Sequence, residues 1–80
     1  INIPIAIDVK EIKNLKPSHI KVCRKYMPID AILDEWEVTE GWWTNQPIYR
    51  RYFEVVFNNG TRKIIFKDLL HSLWYKQIFA

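Results

Sequence analysis

Residues 50–68 read RRYFEVVFNNGTRKIIFKD, and this stretch decides the fold. Asn59-Gly60 separates two runs rich in Val, Ile, Phe and Tyr. Asn-Gly is the preferred pair for a two-residue type I′ turn, whose two central residues need φ > 0. A turn at that pair sets Phe53 against Phe66, Val55 against Ile64, Tyr52 against Lys67 and Arg51 against Asp68. Side chains alternate between faces. The expected core face therefore carries Phe53, Val55, Ile64 and Phe66, closed by an Arg51–Asp68 ion pair. The other face carries Tyr52, Glu54, Val56, Lys63, Ile65 and Lys67. A slip of one residue would exchange the faces of one strand relative to the other.

Working outward, residues 3–10 alternate Ile3, Ile5, Ile7 and Val9 with Pro4, Ala6, Asp8 and Lys10, which predicts a strand. Pro4 lacks an amide donor and places it at a sheet edge. Residues 11–17 lose the alternation and read as a connector. Residues 20–27 (IKVCRKYM) read as a second strand, with Lys21 and Lys25 on one side, ended by Pro28. Residues 31–38 (AILDEWEV) favour a strand, although Ile32 and Trp36 also suit a helical i, i+4 pair. Thr39-Glu40-Gly41 reads as a turn, Trp42-Trp43 opens an extended run, and Thr44 to Pro47 interrupts it. After Asp68, itself a possible helix cap, the reading is a tight helical turn over 69–71 and a closing strand over 73–79.

The chain has 80 residues, enough for one domain, and a net charge of +3. A domain this short buries only about 60–65% of its unfolded surface. Four Trp, four Tyr and four Phe supply the large apolar areas that such a core needs. The single cysteine, Cys23, excludes an internal disulfide and fits a reducing cytoplasm. No run approaches the roughly 20 apolar residues of a membrane helix, and no signal peptide is visible. The chain begins at Ile1, not Met, and is read as a trimmed or excised segment.

These elements predict an all-β fold. It is a single meander of five or six strands, SH3-like or a partly open barrel, with one short helical turn near residues 68–72. The expected core is Ile20, Val22, Trp36, Phe53, Val55, Ile64, Phe66 and Trp74.

The order LDEWEV…GWWTNQPIYRRYFEVVFNNG…IIFKDL…WYKQ resembles a small bacterial β domain of unknown function. That domain is found alone and as a C-terminal appendage of proteins related to Y-family DNA polymerases of induced mutagenesis. The matching positions are Asp34, Trp36, Trp42, Trp43, Arg50, Arg51, Tyr52, Phe53, Asp68, Leu69, Trp74 and Tyr75. Lys67 stands where the family usually has Arg. The resemblance spans residues 20 to 80 and leaves out 1 to 19. It implies a β domain in a DNA-repair or replication context and supplies no catalytic residues.

The chemistry-bearing residues point to binding. Cys23, His19 and His71 lack any zinc-ligand spacing, so no metal and no cofactor is expected. His71-Ser72 with Asp68 or Glu54 lacks a nucleophile elbow or oxyanion motif, so no enzyme activity is expected. The carboxylates Asp34, Glu35, Glu37 and Glu40 around Trp36 read as a solvated strand edge. Trp42, Trp43 and Tyr49, with Trp36, are the candidate lining of a groove for a protein partner, and this is the leading reading. Arg50, Tyr52, Lys63, Lys67, Lys21 and Lys25 are the candidates for the alternative, single-stranded nucleic acid held by phosphate contact and base stacking.

Overall fold

The computed structural model describes residues 2–12 and 16–79, with side chains for 4–12 and 16–77. It is all-β, with eight strands in chain order. These are β1 (Asn2–Ile7), β2 (Val9–Ile12), β3 (Lys16–Val22), β4 (Lys25–Pro28), β5 (Ala31–Glu40), β6 (Ile48–Val56), β7 (Arg62–Asp68) and β8 (Leu73–Phe79). They form two antiparallel sheets, a five-stranded sheet ordered β1-β8-β7-β6-β5 and a three-stranded sheet ordered β2-β3-β4. The larger sheet is a meander closed on one side by β1, the edge position that Pro4 requires. The assembly is an open, barrel-like sandwich.

The run over residues 3–10 is two strands. The chain changes sheet at Asp8, whose carbonyl accepts the Lys21 amide at 2.9 Å. The expected connector over 11–17 is largely strand, with residues 13–15 outside the described residues. The single strand expected over 20–27 is a hairpin. Val22 faces Lys25, and both turn residues have positive φ, Cys23 at 49° and Arg24 at 69°. That is the backbone of a type I′ turn, built from residues with no preference for it. β5 is a strand, as favoured, with a bulge between Ile32 and Asp34. At 68–72 the expected single helical turn forms and does not continue into a helix. Residues 69–72 are a turn in which the Ser72 amide donates to the Asp68 carbonyl at 2.7 Å.

The central hairpin is where the expected register fails. Phe53 pairs with Ile65, Tyr52 with Phe66 and Arg51 with Lys67. The loop has three residues: the Phe57 amide donates to the Thr61 carbonyl at 3.0 Å, and the Gly60 amide donates to the Phe57 carbonyl at 2.9 Å. Gly60 has φ of 85°, while Asn59 does not enter the positive region. This is a three-residue loop with its left-handed residue at the glycine. The Asn59 side chain accepts the Thr61 amide at 3.0 Å, fixing the loop from within.

One residue of slip decides which side chains are inside. Phe53, Val55, Phe57 and Ile65 point to the three-stranded sheet and are fully buried with Trp74 and Ile20. Ile7, Val9, Val22, Met27, Ile29 and Ile32 pack around them. The slip seats Phe57 and Ile65 inside, where the alternative would bury Ile64. Phe66 and Ile64 lie on the far side of the sheet. Phe66 is still 1% exposed, because neighbours on its own face cover it. Trp36 is also on that far side and is 38% exposed, so it is not core. The Arg51–Asp68 pair does not form. Arg51 faces inward and binds Glu35 on β5, with Nη2 at 3.0 Å and Nε at 3.1 Å from Oε2.

Candidate functional site

The loop from Gly41 to Pro47 presents Trp42 and Trp43 to solvent, 59% and 85% exposed. It is a turn, not the extended run expected there, and its shape is specified. Gly41 has φ of 68°, which a side chain rarely adopts. A Cβ there would also lie 3.0 Å from Thr44 Oγ1 and 3.3 Å from the Gln46 carbonyl. Thr44 donates to the Gly41 carbonyl from its hydroxyl at 2.7 Å and from its amide at 2.9 Å. The Gln46 amide donates to Thr44 Oγ1 at 3.2 Å. Trp42 rests against half-buried Tyr49, ring centroids 6.1 Å apart. Of the expected groove residues, the fold thus brings Trp42 and Tyr49 together and leaves Trp43 free beside them.

This loop continues β5, the second edge of the large sheet, so one side of a ten-residue strand has no backbone partner among the described residues. Residues 27–49 contain Asp30, Asp34, Glu35, Glu37 and Glu40 and no Lys or Arg, in a chain of net charge +3. The acidic charge is therefore gathered on the edge that carries the tryptophans. Glu35 is held by Lys16 at 3.3 Å and by Arg51. Burial would raise its carboxyl, but the Lys16 and Arg51 interactions outweigh this and hold it below the ordinary range. Charged edges oppose strand-to-strand aggregation, and a basic segment would turn that repulsion into attraction.

The outer face of the large sheet bears an aromatic row. Trp36 stacks on Tyr52 at 5.4 Å with planes 5° apart, Tyr52 meets Phe66 tilted by 35° at 4.9 Å, and Phe66 stacks on Tyr75 at 5.2 Å. The Arg50 guanidinium lies 4.5 Å from the Phe66 ring centre and donates to the Tyr52 hydroxyl at 3.3 Å. These rings use their faces on each other. A base has no flat aromatic surface to lie on in the middle of the row. Register also places Asp34, Glu40, Glu54 and Asp68 on this face against Arg50 and Arg62, a negative balance.

The nucleic-acid set is accordingly split. Arg50 and Tyr52 share a face, but Lys63 and Lys67 are on the opposite, inner face. Lys67 is 7% exposed and spent on structure: its ammonium donates to Glu11 Oε1 at 2.6 Å. The same oxygen accepts Trp74 Nε1 at 2.6 Å. Burial pushes the Glu11 carboxyl up, but the Lys67 and Trp74 hydrogen bonds and the Lys67 charge hold it below the usual carboxylate range. Lys21 and Lys25 sit in the smaller sheet on alternate faces, since Lys21 pairs with Tyr26 and Lys25 with Val22. Sequence reasoning missed Lys10, whose ammonium is 4.3 Å from the centre of the exposed Tyr26 ring, with Lys21 at 5.9 Å. Only the unrecognised hairpin could have revealed that grouping.

His71 Nδ1 is 2.9 Å from Asp68 Oδ2 on an exposed turn. The other Asp68 oxygen accepts the Leu70 and His71 amides, at 3.0 and 3.3 Å. Burial raises the Asp68 carboxyl, but these contacts prevail and lower it. The group caps the turn, as a helix-capping aspartate would. No cluster of three or more His, Cys, Asp or Glu suited to a metal occurs among the described residues. No helix among them is long and apolar enough to cross a membrane. Comparison with family models, with curated proteins and with solved structures found no match.

Proposed function

We propose that this domain is a non-catalytic binding module that takes a protein partner on the β5 edge and the 41–47 loop. The observation that carries the reading is the exposure of Trp42 and Trp43, 59% and 85%, on a loop fixed by its own hydrogen bonds. Exposed tryptophans on an ordered loop are costly in water and are enriched where partners dock. The open edge offers backbone groups for an added strand, and Asp30, Asp34 and Glu40, carboxylates outside the Lys16 and Arg51 ion pairs, favour a basic one. The partner segment is therefore an extended peptide bearing Arg or Lys, whose cations reach both carboxylate and indole. The resemblance to a domain appended to larger mutagenesis proteins is consistent with such a role.

Selection from a peptide array tests this. Captured peptides should be extended and rich in Arg or Lys, should shift the amide resonances of β5 and residues 41–47, and should be lost with Trp43→Ala. Binders that perturb other residues, or no binders, would overturn the reading.

Single-stranded nucleic acid is the second reading. It no longer centres on Tyr52. What favours it is Tyr26, 41% exposed on the smaller sheet with Lys10 and Lys21 beside it.

A further inference from the structure

Lys63 and Lys76 stand on the core-facing side of the large sheet, opposite Val55 and Ile65 respectively. Inward-pointing lysines commonly guard an edge strand. That explanation does not apply here, because β7 and β8 are both internal to the sheet. Nor does a carboxylate among the described residues pair with either, as Glu11 does with Lys67. Lys63 and Lys76 line a cleft of about 200 Å³ between the two sheets, over an apolar floor of Ile7, Ile20 and Ile65, while the Lys21 ammonium turns to Asp8 on the outer face of the small sheet. No carboxylate lines that cleft among the described residues. An adjoining cleft of about 420 Å³ shares Ile7 and adds Arg24 and Asp8. Asp8 is the one carboxylate in the pair, 3.8 Å from the Lys21 ammonium.

Like charges gathered at a partly dry cleft repel, and the repulsion grows as the surroundings lose water. An anion in the cleft would reverse the sign of that energy. The apolar floor suits the carbon skeleton of such a ligand, while the lysines suit its charge. Lysine ammoniums, as flexible point charges, match a phosphate without demanding the planar geometry that arginine imposes.

We propose that the cleft between the sheets is a phosphate-binding site, formed by Lys63 and Lys76 from β7 and β8, for a phosphate ester of nucleotide size. It is separate from the tryptophan edge. It deepens the nucleic-acid reading and rests on it where the ester is part of a strand.

The test titrates the isotope-labelled 80-residue chain with inorganic phosphate, with thymidine monophosphate and with a short oligothymidylate, at low and high salt. Amides of residues 20–23, 63–65 and 76 should shift. The double variant Lys63→Gln/Lys76→Gln should weaken binding about tenfold and reduce the oligonucleotide salt slope by about 1.4, at roughly 0.7 per lost single-strand phosphate contact. Arg62→Gln, on the opposite face, should change neither. The melting temperature of the double variant should be unchanged or higher, since it relieves repulsion, and this separates lost binding from lost folding. Tight mononucleotide binding identifies a free ligand as the source; binding by the oligonucleotide alone identifies a strand. Oligonucleotide binding that the double variant leaves intact would overturn the cleft and leave the nucleic-acid reading standing on Tyr26. Equal weakening by Arg62→Gln, or no binding of any probe, would also overturn the cleft.

Discussion

The Lys67 ammonium and the Glu11 carboxylate meet at 2.6 Å, joining the middle of the large sheet to the outer strand of the small one. Lys67 is almost fully buried, and the same Glu11 oxygen also receives the Trp74 indole. Removing the carboxylate strands a cation and an indole donor together. Breaking a fully buried pair costs about 3–5 kcal/mol. With the Glu11 side chain 28% exposed, Glu11→Ala should cost less, about 2–3 kcal/mol. Adding Lys67→Met to that variant should recover most of the loss. Urea denaturation of the two variants measures both.

Acid should act through the same contacts. Glu11, Glu35 and Asp68 are each held below the ordinary carboxylate range. Their stabilisation is fully present above the unfolded values, about 4. It is lost as pH falls through the lower folded values. The urea midpoint should be flat from about pH 7 to pH 5 and fall below about pH 4, with a shallower fall in Glu11→Gln.

The Cys23–Arg24 turn offers a gain. Both residues occupy left-handed backbone, at φ of 49° and 69°. That geometry costs an ordinary residue roughly 1–2 kcal/mol. Replacing the pair by Asn-Gly should stabilise the domain by about 1–2 kcal/mol. At roughly 4–8 °C per kcal/mol for a domain of this size, calorimetry would resolve it.

Trp43 should be dispensable for folding. At 85% exposed, its replacement by Ala should change stability by no more than about 0.5 kcal/mol. Phe53→Ala, at a fully buried site, should cost about 3–5 kcal/mol. Denaturation curves of the two variants give the contrast; a large loss for Trp43→Ala would mean that the tryptophan belongs to the core.

The all-β class was legible because alternation is strong over β1 and because β-branched and aromatic residues flank Asn59-Gly60 in β6 and β7. β8 was placed correctly, since Asp68 ends one strand by capping the next turn. Register was not legible. Asn59-Gly60 serves a two-residue or a three-residue loop, and both strands carry apolar residues on each face, so patterning alone does not choose. The outcome turns on the volume that Phe57 and Ile65 fill against Ile20 of the other sheet, a tertiary constraint. The β3–β4 hairpin was invisible because Cys23-Arg24 is no turn signal. That hid the Tyr26 face and the lysine cleft, while the Trp42–Trp43 pair could be picked out without knowing the backbone around it.

The core face and the lysine cleft depend on the β6–β7 register, and Hα–Hα cross-peaks in nuclear Overhauser spectra read it directly. The loop hydrogen bonds make Phe57 and Thr61 a bonded position, so alternation makes Tyr52–Phe66 and Glu54–Ile64 the close, non-bonded pairs. The prediction is a cross-peak between the α-protons of Tyr52 and Phe66 and another between those of Glu54 and Ile64. A cross-peak joining Phe53 to Phe66 would contradict it, exchange the two faces of β7 and remove Lys63 from the cleft.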